Sequence, residues 1–164
     1  NFPKMKFAYS KMHNVCCEVM ATYNALALVG EFDINYNGTI TNDLDEYFKL
    51  ALEFEINDLY LNNPLGGFGS DPKGIEKCLK AYNHNYKAYT NADDMDKDVS
   101  DSVSMIVSYK FYGFGIHTYF CYYDANLNKI CSVNKGSNNL KIREFYSIKE
   151  CLGDSNLHIG YILQ

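Results

Sequence analysis

The chain has 164 residues, of which 47% are hydrophobic and 21% are charged, and this suits one domain with a hydrophobic core. Its formal net charge is -5 and its single arginine is Arg143, so nucleic acid is not an expected partner, because phosphate-backbone binding requires clustered Lys and Arg. No apolar run approaches the roughly 20 residues that span a bilayer, so no membrane span is expected. Because the sequence begins at Asn1 rather than Met, secretion stays open, with the cytoplasm slightly favoured.

The stretch from Asn14 to Gly30 predicts the first helix, over about residues 16–29. Asn14 can accept a hydrogen bond from a free backbone N–H where the helix starts, and Gly30 suits the left-handed residue that ends a helix. Apolar residues recur between them at helical spacing, namely Met20, Tyr23, Ala27 and Leu28. Cys16 and Cys17 therefore fall in the first turn, where unpaired N–H groups and the helix dipole are expected to lower the pKa of a thiol.

Two further helices and a short strand are predicted before residue 101. Residues 41–56 carry acids in the first turn and an apolar face, and residues 70–82 begin with a cap and a proline, Asp71 and Pro72. The buried stripe of this later helix is expected to comprise Ile75, Cys78, Leu79 and Tyr82. Residues 85–90 predict a strand, and the acidic residues 92–101 predict a solvated loop or a helical turn.

The second half of the chain is predicted to be mostly β-structure. Residues 102–111, 117–124 and 129–134 are rich in β-branched and aromatic residues, and residues 125–128 predict a hairpin turn. Ser147 and Glu150 form a capping box that predicts a short helix, and residues 158–164 predict the last strand. Because helices come first and strands after, residues 1–164 are expected to form a single α+β domain with helices packed on an antiparallel sheet.

The six cysteines permit disulfide bonds in an oxidising compartment, but their positions favour reduced thiols. Cys78 lies on the apolar stripe of a predicted helix and Cys121 lies in a predicted strand, where free cysteine is a common small buried residue. Because the sequence contains no C-x-x-C pair and no complete calcium-binding loop, no metal or cofactor is expected. A disulfide-stabilised secreted module is the alternative.

A cysteine, a histidine and an asparagine form a candidate catalytic set. His117 begins the strongest predicted strand, and strand alternation puts it on one face with Tyr119. Asn134 ends the next predicted strand, so adjacent antiparallel pairing would bring it near His117 as an acceptor for the imidazole N–H. Cys17 is then the candidate nucleophile and His117 its base, oriented by Asn134.

The same hypothesis needs hydrogen-bond donors for the oxyanion that forms when the thiolate attacks a carbonyl carbon. The backbone N–H of Cys17 is one candidate donor, and the side chains of Asn14 and Lys11, just upstream, are two others. His117 would then protonate the leaving amine. This chemistry predicts a thiol hydrolase that acts on a peptide or another amide.

Three motifs carry a family resemblance: Cys17-Glu-Val-Met-Ala-Thr-Tyr-Asn-Ala-Leu, Gly-Ile-His117-Thr-Tyr-Phe and Ser-Val-Asn134. Their order and spacing, over roughly residues 10–136, resemble the papain-like cysteine peptidases, nearest the bacterial branch of double-glycine leader peptidases of bacteriocin exporters. The resemblance implies a papain-like fold, a Cys-His-Asn triad, a thioester acyl-enzyme and no cofactor. Asn24, seven residues after Cys17, matches the family helix and selects Cys17 over Cys16 as the nucleophile.

The chain departs from the family pattern at two positions. Glu18 stands where a glycine often follows the nucleophile, and Lys11 stands where a glutamine often precedes it by six residues. Within the enzyme class, acyl transfer to an amine is the alternative to hydrolysis, because the same triad serves both reactions. The rival from another class is a noncatalytic papain-like domain that holds a peptide in its cleft. Lys11 slightly favours this rival, and the presence of all three triad residue types opposes it.

Overall fold

The computed structural model describes residues 6–7, 10–11, 17–30, 49–50, 73–99, 104–110, 115–133 and 142–164. These residues form helices and two antiparallel sheets, which confirms the predicted α+β class. The elements in chain order are β1 (Lys6–Phe7), β2 (Ser10–Lys11), α1 (Cys17–Leu28), α2 (Lys73–Ala81), β3 (Tyr86–Tyr89), α3 (Ala92–Lys97), β4 (Ser104–Lys110), β5 (Ile116–Asp124), β6 (Lys129–Val133), β7 (Arg143–Phe145), α4 (Ile148–Leu152) and β8 (Leu157–Leu163). Residues 49 and 50 are also helical, and the rest of the helix predicted over 41–56 lies outside the described residues.

The main sheet has six strands in the order β3-β8-β4-β5-β6-β7, and every neighbouring pair is antiparallel. The small sheet pairs β1 with β2. The central strand β4 is buried from residue 104 to residue 108, because helices cover both faces of the sheet there. β5 follows β4 in antiparallel register along the whole length of β4, so Tyr109 lies opposite His117 and Ser108 lies opposite Thr118.

Strand alternation divides the hydrophobic core between the two faces of the main sheet. The α1 face packs against α1 and α2, and its buried residues include Val19, Leu26, Ile75, Leu79, Ile106, Phe120 and Tyr161. The α4 face packs against α3 and α4, and its buried residues include Met95, Met105, Val107, Tyr119, Ile148 and Ile162. Successive residues of one strand, such as Tyr119 and Phe120, therefore contribute to different cores.

The first helix has the boundaries that the sequence predicts. α1 begins at Cys17 and ends at Leu28. Gly30 has φ +84°, a left-handed conformation that glycine adopts without steric cost, and its N–H donates to the carbonyl of Ala27. The Ser104 hydroxyl of β4 donates to the carbonyl of Ala25 at 2.9 Å. The helix is thus both packed on the sheet and hydrogen-bonded to it.

Several other local predictions are confirmed. The stripe of α2 is buried at Ile75, Cys78 and Leu79. In the turn over 125–128, the Asp124 carboxylate accepts hydrogen bonds from the N–H groups of Asn126 and Leu127 and closes the β5–β6 hairpin. The hydroxyl of Ser147 caps α4 by accepting a hydrogen bond from the Glu150 N–H at 2.9 Å, as the capping box predicts.

Two segments differ from, or add to, the expected pattern. The start of the acidic segment forms the six-residue helix α3, which buries Met95 in the core of the α4 face. Asp93 and Asp94 are exposed, whereas the half-buried Asp96 carboxylate accepts hydrogen bonds from the first N–H groups of α4. The strand β7 is not predicted from the sequence. It is three residues long and mostly exposed at the edge of the sheet, so it lacks the apolar alternation that marks a half-buried strand.

The five cysteines in the described part of the chain form no disulfide bond: Cys17, Cys78, Cys121, Cys131 and Cys151. This agrees with the interpretation of reduced, mostly buried thiols, whereas Cys16 lies outside the described residues. Over the described ranges, no helix has the length and apolar character needed to cross a membrane.

Gly160 in β8 allows α3 to pack closely on the sheet. A Cβ atom at residue 160 would lie 2.5 Å from the sulfur of Met95, which is fully buried. We expect Gly160→Ala to lower the free energy of unfolding by about 1–3 kcal/mol through overpacking, as measured by urea denaturation. In a double-mutant cycle, Gly160→Ala should cost less when Met95 is already alanine. Additive costs would show that the two side chains do not compete for space.

Candidate active site

Cys17 is the first residue of α1 and is partly buried where the helix meets the sheet. The helix lies across β4 and β5, and its buried face includes Val19, Ala21, Ala25 and Leu26. This apolar face fixes how far α1 lies from the sheet, and therefore fixes the position of the Cys17 side chain at its start. The predicted nucleophile thus lies where a helix N-terminus contacts a central strand of the main sheet.

A series of hydrogen bonds between buried polar side chains connects Cys17 to the sheet. The Cys17 thiol donates to Oε2 of Glu18 at 3.1 Å, and Glu18 is only 2% exposed. The hydroxyl of Thr118 in β5 donates to the other carboxylate oxygen, Oε1, at 3.3 Å. The Ser108 hydroxyl of β4 lies 2.8 Å from the Thr118 hydroxyl. Because a hydroxyl carries one proton and Thr118 uses its own on Glu18, Ser108 is the donor to Thr118.

The environment of the Cys17 sulfur contradicts the expected low pKa. Burial is the largest cause and raises the pKa of the Cys17 thiol far above its ordinary value, and the neighbouring Glu18 carboxylate raises it further. The backbone N–H groups of Thr118 and Glu18 face the sulfur and lower the pKa, but by less. The favourable helix N-terminus is therefore outweighed by desolvation and by a carboxylate, and Cys17 rests as a thiol.

His117 is the second residue of β5 and pairs with Tyr109 of β4. Its ring meets the Tyr109 ring edge to face, with the centroids 5.8 Å apart and the planes at 89°, and it lies 6.2 Å from the Tyr119 ring. Tyr119 is fixed in turn by the Cys151 thiol of α4, which donates to its hydroxyl at 3.3 Å. As alternation predicts, His117 and Tyr119 share a face, and that face is the α4 face.

Cys17 and the backbone of His117 come together at one edge of β5. The sulfur lies against the backbone N–H of Thr118, the residue bonded to the His117 carbonyl carbon. Among the described residues, β6 pairs with β5 only from Phe120 to Asp124, so the start of β5 extends beyond the end of β6. The sulfur occupies this extension on the α1 side, while the His117 ring lies beside Tyr109 on the α4 side.

The remaining predicted site residues are described only in part. Asn134, Asn14 and Cys16 lie outside the described residues. Val133, which precedes Asn134, pairs with Phe120, so β6 ends three positions along β5 from His117. Lys11 lies in the short strand β2, paired with Lys6. The proposed roles of Asn134, Asn14 and Lys11 therefore stay predictions.

Sequence reasoning did not identify Glu18, Thr118 and Ser108 as parts of the site. A signal was present in each case. Glu18 lies between a candidate nucleophile and the buried Val19, on a helix whose other inward residues are uncharged. Ser108 and Thr118 are polar residues that lie opposite each other on two central strands whose buried residues are mostly apolar. Polar residues that face each other inside a core are expected to be hydrogen-bonded to something.

Comparison with known proteins leaves the family open. No protein-family model and no curated protein sequence matches the chain. Within the described ranges, no group of three or more His, Cys, Asp or Glu side chains has the arrangement of a metal site.

The Thr118 hydroxyl is expected to stabilise the fold because it satisfies a buried carboxylate. We expect Thr118→Val, which keeps the shape of the side chain, to lower the free energy of unfolding by about 1.5–3 kcal/mol in urea denaturation. Thr22→Val is the matched control, because Thr22 in α1 is fully buried and its hydroxyl has no hydrogen-bond partner among the residues described. Equal costs for the two variants would show that the Thr118–Glu18 bond contributes nothing.

The raised pKa of Cys17 makes stability depend on pH. Above about pH 9 the unfolded chain releases the Cys17 proton while the folded chain retains it. The stabilisation is therefore fully present below that pH and is lost as the pH rises, by up to roughly 1.4 kcal/mol per pH unit. Cys17→Ser removes this titration, so its unfolding free energy should fall less steeply than that of the wild type between pH 8 and pH 10.5. Parallel curves would contradict a raised pKa.

Proposed function

We propose that the protein is a cysteine-dependent hydrolase of peptides or other amides, with Cys17 as nucleophile, His117 as base and Asn134 as the residue that orients His117. The observation that supports this most strongly is the position of the Cys17 sulfur against the backbone N–H of Thr118, next to His117. A nucleophile at a helix start and a base at the start of the strand it contacts make a workable pair. A papain-like fold is part of the same proposal.

In the proposed reaction, a nitrogen of the His117 imidazole accepts the thiol proton, and the electron pair of the S–H bond forms a bond to the carbonyl carbon. The tetrahedral intermediate collapses to a thioester, and the imidazolium gives its proton to the departing amine. Water then attacks the thioester with His117 again acting as base, which regenerates the thiol. The backbone N–H of Cys17, with Asn14 or Lys11, is the proposed oxyanion donor set.

The position of the His117 ring defines what this reaction requires. The ring rests beside Tyr109 on the α4 face, whereas the sulfur lies on the α1 side of the same strand edge. His117 must therefore turn towards the edge of β5 beyond the end of β6 to reach the sulfur. The side chain is only partly buried, and rotation of a histidine about its side-chain bonds is fast compared with ordinary turnover.

A noncatalytic peptide-binding domain is the second candidate. The observation in its favour is the state of Cys17, because burial and Glu18 raise the pKa of the thiol and keep it protonated at rest. A domain that had lost its chemistry would keep this thiol as an inert buried group. The two candidates differ in whether His117 changes the reactivity of Cys17.

The test measures hydrolysis and alkylation on the same proteins. A peptide mixture is incubated with wild type, Cys17→Ala and His117→Ala, and new termini are identified by mass spectrometry, while iodoacetamide labelling is followed separately at each cysteine. We expect His117→Ala to slow hydrolysis by roughly 10²–10⁴-fold and to slow Cys17 labelling, since a positioned base typically contributes this much. His84→Ala is the matched control, because His84 lies in the turn after α2, away from the described part of the site.

The outcomes separate the two candidates. Cleavage that requires Cys17 and His117 but not His84 supports the hydrolase. Peptides that bind without cleavage, together with Cys17 labelling that is unchanged in His117→Ala, would overturn the hydrolase and favour the binding domain. Fast labelling of Cys16 instead of Cys17 would show that the wrong cysteine is assigned as nucleophile.

A further inference from the structure

We infer that Glu18 is a positioning residue that holds Cys17 as a proton-bearing thiol in the resting protein, and that this contact must be released before Cys17 can attack a substrate. The consequence for catalysis rests on the proposed hydrolase function, whereas the contact itself is a property of the folded chain. Glu18 would thus add to the effect of burial on the pH at which Cys17 becomes nucleophilic.

The hydrogen bonds of this buried series converge on the two carboxylate oxygens of Glu18. The Cys17 sulfur lies 3.1 Å from Oε2, and the Thr118 hydroxyl lies 3.3 Å from Oε1. An ionised carboxylate can only accept, so with Glu18 ionised both groups donate to it and Ser108 donates to Thr118. The Cys17 proton then lies against the Glu18 charge, which raises the pKa of the thiol.

The contact between Glu18 and Cys17 is not what holds α1 on the sheet. Docking of α1 onto the sheet is supplied by the apolar face of the helix, by the Ser104 bond to Ala25 and by the Thr118 bond to Oε1 of Glu18. The Oε2 contact to Cys17 joins neighbouring residues of the same chain segment, so it ties no two elements together. What this contact does change is the proton on Cys17.

Two other titratable groups in the described part of the chain lie near the sulfur. From β4, Tyr109 lies at this end of the sheet, and burial raises its pKa, so it stays neutral near pH 7. From β5, His117 is the adjacent titratable group, and it lies beside Tyr109. Within the described residues, Glu18 is the charged side chain that acts on the Cys17 sulfur, and its negative charge opposes a thiolate. Moving the proton from Cys17 to His117 leaves two negative groups in contact unless Glu18 separates from the sulfur.

Two backbone donors stay at the sulfur when the contact opens. The backbone N–H groups of Thr118 and Glu18 already face it. Both are donors that favour a thiolate, and both are fixed by the backbone of β5 and α1. Release of the carboxylate would therefore leave the sulfur with these two donors and, among the described residues, without the negative charge beside it. Burial would then be the remaining cause that opposes a thiolate, so the pKa of Cys17 would be lower than at rest.

The test compares the pH midpoint of iodoacetamide labelling at Cys17 in wild type, Glu18→Gln and Glu18→Asp, read separately for each cysteine by mass spectrometry. Glu18→Gln keeps the size of the side chain and removes its charge. We expect its midpoint to fall by about one pH unit or more, so that Cys17 labels about tenfold faster at a fixed pH below the midpoint. Glu18→Asp keeps the charge but shortens the reach by one methylene, and we expect a smaller fall.

Two controls accompany this measurement. Glu144→Gln removes the same charge from an exposed position on the edge strand β7 and should leave the Cys17 midpoint unchanged. Near-ultraviolet circular dichroism reports whether each variant keeps its fold. The chain has 15 tyrosines and no tryptophan, so the tyrosines dominate this signal. If Glu18→Gln does not fold, Glu18→Asp decides. Faster labelling in that variant supports the inference, and an unchanged midpoint overturns it.

The results distinguish failure of this inference from failure of the proposed function. A folded Glu18→Gln protein whose midpoint is unchanged or raised would overturn the inference, even if His117→Ala abolishes hydrolysis. If the labelling midpoint falls in Glu18→Gln but His117→Ala changes neither hydrolysis nor Cys17 labelling, the inference about Glu18 is supported. The proposed hydrolase function is then overturned. A lowered midpoint that is accompanied by hydrolysis extending to lower pH supports both. Slower labelling of Cys17 in Glu18→Gln at every pH would identify Glu18 as the acceptor of the Cys17 proton. This result would also overturn the inference that Glu18 holds Cys17 as a thiol.

Discussion

The docking of α1 on β4 and β5 is the constraint on which the candidate site depends. Its apolar residues bury against the sheet, and one charged residue, Glu18, is buried with them. A buried carboxylate costs several kcal/mol in lost hydration unless donors replace the water, and here the donors come from Thr118 and Cys17. Of these two bonds, the one from Thr118 also fixes the height of the helix start above β5.

The two-sided packing of the sheet explains why polar chemistry gathers at the start of β5. Helices cover both faces of β4 and β5, so side chains in the middle of these strands have no access to water. Within the described residues, the last pair that β5 forms with β6 is at Phe120, and residues 116–119 of β5 lie beyond it. A helix N-terminus on one face and a histidine on the other can approach each other around this edge, while elsewhere the sheet separates them.

The sequence predicted most of the framework, but periodicity misplaced the buried face of α1. Leu28 of the predicted stripe is 50% exposed, whereas Val19, Ala25 and Leu26 are fully buried. The limits of α1, the stripe of α2 and the turn after Asp124 all follow from short-range patterns. β7 could not be predicted, because a short exposed edge strand has no such pattern. The pKa of Cys17 was predicted in the wrong direction. The helix start is a local feature, whereas desolvation and the Glu18 charge depend on what the sheet places around the sulfur.

The candidate triad could be proposed from residue types and order, but its relative placement could not. Alternation correctly put His117 with Tyr119. The face on which α1 packs is decided by long-range contacts of residues such as Val19 and Phe120. These contacts put the helix on the face opposite the His117 ring, so Cys17 and His117 can approach each other only around a strand edge. A turn of one side chain is then part of the proposed mechanism, which sequence order alone does not reveal.

Glu18 bears on the choice between an active hydrolase and an inert binding domain. An apolar side chain of similar volume would fill this buried position at a lower cost, because it requires no ordered donors and no desolvation of a charge. Hydrogen bonds connect Ser108, Thr118 and Glu18 in series and end at the Cys17 thiol. Such a polar series departs from the rule that protein cores are apolar, and departures of this kind concentrate at functional sites. A peptide-binding cleft has no need for a charge placed against a sulfur. A nucleophile that is held protonated until a substrate or a change of pH releases it does need such a charge. The position of Glu18 against the Cys17 sulfur therefore favours a site in which the thiol is used.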